Sequence, residues 1–110
     1  MSAIDIEDVV GKMLGAAQGV FEDKWPEVKN FAESETKKFA QNMADIEIWK
    51  ARGEISEEQA KALSRLHQRS MKMVLTALEG ISLAIAEKAI NAALDVVRNI
   101  INTAIGWAVI

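Results

Sequence analysis

The chain has no cysteine in its 110 residues, which excludes a disulfide framework and any thiolate chemistry. It has one histidine, His67, and that excludes most metal centres as well. Zinc sites draw on several cysteine and histidine ligands, and the carboxylate-bridged di-metal sites of helical bundles need two Glu-x-x-His motifs. Here the residue three before His67 is Ser64. Within Arg65-Leu-His-Gln-Arg69, His67 reads as an exposed or half-exposed polar residue. Nucleophilic triads, phosphate loops and dinucleotide fingerprints are missing too. Glu33/Glu35, Asp45/Glu47 and Glu57/Glu58 are one or two residues apart, a spacing that does not bring two carboxylates face to face on a helix. The expectation is a non-enzymatic chain with no metal, no cofactor and no small-molecule substrate.

Proline appears once, tyrosine not at all and glycine six times, while half of the residues are apolar and 26% are charged. That composition points to a soluble globular protein built from helices. Stretches able to cross a bilayer are lacking, since no run of roughly 18 residues or more is free of charge. Glu87, Lys88, Asp95 and Arg98 interrupt the most apolar segment, each costing roughly 2.5–3.5 kcal/mol at a bilayer centre. The opening Met-Ser-Ala-Ile-Asp-Ile-Glu-Asp has neither the positive n-region of a signal peptide nor the Arg-rich character of a transit peptide. A cytoplasmic chain is expected, with a position peripheral to a membrane as the alternative. The net charge of −3 is too small to select a partner. Its distribution is uneven, with eleven acids and seven bases over residues 1–55 against five and six over 56–110.

What the sequence does have is a very apolar end, the thirty residues from Ile81 to Ile110. On a helix at about 100° per residue, Glu87, Lys88, Asn91, Asp95, Arg98, Asn99 and Asn102 share an arc of roughly 120°. Nearly everything outside that arc is apolar, about twice the stripe of an ordinary surface helix. Such a helix has to be covered on two or three sides, by the chain, by another subunit or by lipid.

Three further helices are expected before it. The first runs from about Ile4 to Lys24, with Asp5, Glu7 and Asp8 at the positive end of its dipole. Pro26 suits the first turn of a second helix, capped by Asp23, although a single helix kinked at Pro26 would use the same apolar stripe. Gly53 fits a left-handed C-terminal cap, and Ser56 with Gln59 forms a capping box, so two antiparallel helices should turn at residues 53–56. The third helix should run from Glu57 to about Glu79, with Ala60, Leu63, Leu66, Met73, Val74, Ala77 and Leu78 inward. Gly80 either ends it or bends it, and a bend would make residues 57–107 a rod about 75 Å long. The expected fold is all-α: a compact antiparallel helical bundle of three to four helices, one domain over residues 1–110.

Three surfaces are candidates for function. Gly11, Gly15 and Gly19 lie four apart on one face, and each costs a helix about 1 kcal/mol relative to alanine, so close helix packing is expected there. A glycine zipper of the kind used in membranes is the sharper alternative. Lys61, Arg65, Arg69 and Lys72 form a basic strip with no acid between Glu58 and Glu79, a surface for anions. Nucleic acid is an unlikely partner for it, with few cations, a negative chain and no interleaved aromatic. Leu94, Ile101, Ile105, Trp107, Val109 and Ile110 are expected to form an oligomer interface, because three helices should not close over that end. Together these point to an interaction protein that self-associates through its C-terminal helix. The alternative is a small helical protein acting on an anionic membrane surface.

Overall fold

The structure, a computed structural model, describes residues 3–110. All of the regular structure among them is helical. The first helix, α1, spans Ile6–Phe21, and the Asp5 carboxylate caps it by accepting from the Asp8 amide at 3.1 Å. At Glu22 the backbone turns to φ +51°, and a short 3-10 turn, Glu22–Lys24, leads into α2, Trp25–Ala51. Pro26 sits in the first turn of α2, where its missing N–H costs nothing. Because α1 and α2 pack on each other, Pro26 marks a reversal and not a kink. The expected Asp23 cap is not formed, since Lys24 takes the cap position without a side-chain hydrogen bond.

The central hairpin has the anticipated chemistry. Gly53 is left-handed at φ +70°, its N–H bonds to Lys50 at 2.9 Å, and the Glu54 N–H reaches back to Trp49 at 2.8 Å. That pair of bonds is a Schellman motif. Ser56 and Gln59 then close a reciprocal capping box on α3, Glu57–Thr76. Gly80, at φ +82°, lies in the turn that ends α3, and Ser82 caps α4, Leu83–Ile105, by accepting from Ile85 at 3.2 Å. The Cα trace is 43 Å in its longest dimension, so a rod of α3 and α4 is ruled out and the four helices form an antiparallel bundle.

The apolar girth of α4 is met from within the chain. Most of its cover comes from α1, and the rest from α3 and α2. Ala86, Ala89 and Ala93 on α4 and Ala17 on α1 are all buried, and such short side chains let helix axes approach. The glycines do not take that part. Gly11, Gly15 and Gly19 point outward, and a Cβ added to any of them would meet nothing within 4 Å. Close packing through the glycine face is thus corrected: α1 turns its Val9, Val10, Met13 and Ala17 side to the core and leaves the glycines in solvent.

The C-terminal end is closed too. Gly106 ends α4 in the left-handed region, and the Asn102 side chain folds the last residues back. Its Oδ1 accepts from the amides of Val109 (2.9 Å) and Ile110 (3.1 Å), and its Nδ2 donates to the Ile110 carbonyl at 2.9 Å. Lys50, at the far end of α2, donates to the Ile105 carbonyl at 2.6 Å and lies 4.6 Å from the centre of the Trp107 ring. The ammonium thus neutralises the negative end of α4 and stacks on the indole at once.

Two stability outcomes follow. Gly15→Ala should stabilise the chain by up to about 1 kcal/mol, read as a higher denaturation midpoint; a loss would mean that something occupies that face. Asn102→Ala should destabilise by about 1–3 kcal/mol, as three hydrogen bonds and the cover over Val109 go together. An unchanged midpoint would show that the tail holds without its clamp.

Candidate functional site

The surface most in need of explanation is the outer side of α3. Its inward line is Ala60, Ser64, Met71 and Leu75, a second helical stripe that is small over its first half and large over its second. Ser64 is fully buried, with its Oγ accepting from Gln68 Nε2 at 3.1 Å. The larger side chains expected in the core are turned away: Leu66 is 56% exposed and Met73 71%, Ala77 is exposed, and Leu63, Val74 and Leu78 are half-buried. Only Ala60 of the expected inward set is fully covered. With α1 and α4 filling the centre, α3 turns Met71 and Leu75 inward, keeps Leu63 packed at its flank, and leaves Leu66 and Met73 outward.

Beside that face runs a groove of about 830 Å³ lined by residues of α1, α2 and α3. No Cα of α1 lies within 8 Å of one in α3, and at the level of Ile6 and Val10 the space between the two helices stays open. Ile6 and Val10 line the groove from α1, Glu35, Phe39 and Asn42 from α2, and His67, Ser70 and Met71 from α3. Gly11 also lines it.

Two polar pairs lie in the groove. The Glu35 carboxylate is buried and held at 3.0 Å by Lys38, one turn on and mostly exposed. Across the α2–α3 seam, Asn42 Nδ2 lies 2.9 Å from His67 Nδ1. With the amide as donor, Nδ1 accepts and the proton of the neutral ring resides on Nε2. Burial lowers the pKa of His67 below its ordinary value, while the Asp45 carboxylate pulls the other way. Near the hairpin, Trp49 and Leu63 line a shallower hollow. Phe31 and Trp49 on α2 are both exposed.

The sequence candidates fall out differently. The basic strip forms one surface. Arg65, Arg69 and Lys72 line a depression of about 250 Å³ between α3 and α4, with Gln68, Glu87 and Asn91. Lys61 pairs with Glu57 at 2.9 Å and Lys72 with Glu87 at 3.4 Å. Arg65 and Arg69 have no acid at ion-pair distance among the described residues. The candidate interface end is largely occupied within the chain: Leu94, Ile101, Ile105 and Val109 are buried in its core, and Trp107 and Ile110 are partly buried against it. The Asn102 clamp and Lys50 close that end where the other helices do not reach. The groove itself was missed, since it depends on a gap between two helices far apart in sequence.

Among the described residues, no three His, Cys, Asp or Glu side chains come together to hold a metal ion. No helix among them is long and apolar enough to cross a membrane. No family model, curated protein or solved structure matches the chain.

The His67 shift has a definite sign. A ring with a folded pKa below 6.5 is mostly neutral at pH 7, and its contribution to pH dependence fades as pH rises above the unfolded value of 6.5. As pH falls through 6.5 the unfolded chain takes up its proton first, so stability declines until the folded ring is itself protonated. An NMR titration of the imidazole should give a midpoint below 6.5, and His67→Gln should flatten the decline between pH 7 and 5. A midpoint at or above 6.5 would contradict the placement of the ring.

Proposed function

We propose that this chain is a non-enzymatic interaction protein that docks another protein on the outer face of α3 and the groove beside it. The observation that carries the reading is the exposure of Leu66 and Met73 on a helix whose inward line is Ala60, Ser64, Met71 and Leu75. Covering two such side chains contributes roughly 1.5–3 kcal/mol each, and the groove has the volume of sites that seat a ligand or a partner's side chains. Self-association through the C-terminal helix has less support, because four of its six proposed contact residues are buried within the chain and Trp107 and Ile110 are partly so.

One observation favours a second reading. Arg65 and Arg69, flanking the same apolar side chains without acid partners, are also suited to an anionic membrane surface. Flotation with vesicles containing phosphatidylserine, compared with neutral vesicles, separates the two. The docking reading is tested with a labelled amphipathic peptide bearing one leucine stripe, titrated with the intact chain and followed by anisotropy. Binding should fall about tenfold or more in the Leu66→Ser, Met73→Ser double variant, with the fold intact by circular dichroism. Unchanged binding in that variant, or no binding by the intact chain, would sink the docking reading.

A further inference from the structure

Arg69 stands three residues after Leu66 and four before Met73, on the same strip of α3 as both. Arg65 lies one turn earlier, and neither guanidinium meets an acid among the described residues. A surface that covers Leu66 and Met73 together must also strip water from Arg69. A cation desolvated without a partner is strongly destabilising, so the covering surface has to bring its own anion.

That condition weighs against a second copy of this chain. Arg69 lies close to the midpoint between Leu66 and Met73. A two-fold axis there, the usual symmetry of a homodimer, would set each Arg69 beside its own symmetry mate. Like charges so placed oppose the contact. Shape weighs against a bilayer, which is flat on this scale and cannot enter an 830 Å³ groove. A helix, about 10–12 Å across with its side chains, can lie along α3 and press one row of them into the groove. The groove's own charges balance, Lys38 on Glu35 and Lys37 against Glu7, so the call for an acidic partner rests on the unpaired Arg69 and Arg65 beside it.

We infer that the α3 face receives an acidic amphipathic helix of a different protein, with Arg69 pairing a carboxylate between two apolar contacts. This rests on the docking reading above and adds the chemistry of the partner. Two labelled peptides test it, sharing one leucine stripe but flanked by glutamates in one and lysines in the other. The intact chain should bind the glutamate peptide at least about tenfold more tightly than the lysine peptide. Arg69→Glu, an exposed position, should abolish or reverse that preference. Equal binding of both peptides, or a preference unmoved by Arg69→Glu, overturns the inference; if Leu66→Ser with Met73→Ser still weakens both, docking on α3 stands without it. Binding to phosphatidylserine vesicles with neither peptide bound overturns it in favour of a membrane surface.

Discussion

Packing of α1 against α4 is the constraint on which the rest of the molecule depends. The last helix has too much apolar surface for one neighbour, and α1 covers the largest share of it. Ala17, Ala86, Ala89 and Ala93 set the approach, and once those two helices are joined little interior space remains. At the level of Met13 and Ala89 the residual cavity is only about 20 Å³. The long α2 then spans the assembly, and α3 completes it with a narrow inward line. An outward-facing Leu66 and Met73 are the geometric remainder of a core that is already full.

Much of this was legible in local sequence and some of it was not. The hairpin at Gly53 and Ser56 was readable because a left-handed glycine, a hydroxyl cap and a glutamine three residues later act within a few residues of one another. Pro26 and Gly80 were ambiguous because either could serve two geometries, and only the packing of neighbouring helices decides between reversal and continuation. The orientation of α3 was misread, since periodicity identifies an apolar side without saying that the core lies on it. Leu66 and Met73 lie on the side of that periodicity that faces outward, and Ala60, Ser64, Met71 and Leu75 on the side that fits. Gly11, Gly15 and Gly19 erred in the same way: a shared face is local information, but a neighbour for that face is not. Their cost in helix propensity finds no compensating contact within the chain.

The candidate site was legible only as charges. Lys61, Arg65, Arg69 and Lys72 were visible as a strip, yet two of the four turn out to be occupied by Glu57 and Glu87. What remains is a smaller positive feature beside apolar side chains, and its meaning comes from that adjacency. The groove, with Asn42 and His67 across its seam, draws on three helices and could not be assembled from spacing. It gives the face a concavity that sets a shape requirement in addition to a charge requirement.

The clamp at Asn102 carries a consequence for the chemical ageing of the protein. Hydrolysis of that amide to a carboxylate would hardly change its size, and the new oxygen could still accept from the amides of residues 109 and 110. The donor to the Ile110 carbonyl would be gone. A negative charge would also sit in the last turn of α4, at the negative end of the helix, which among the described residues Lys50 alone offsets. A single deamidation could thus loosen the tail, uncover Val109 and turn a closed end of the bundle into a sticky one, with no change in the chain's length.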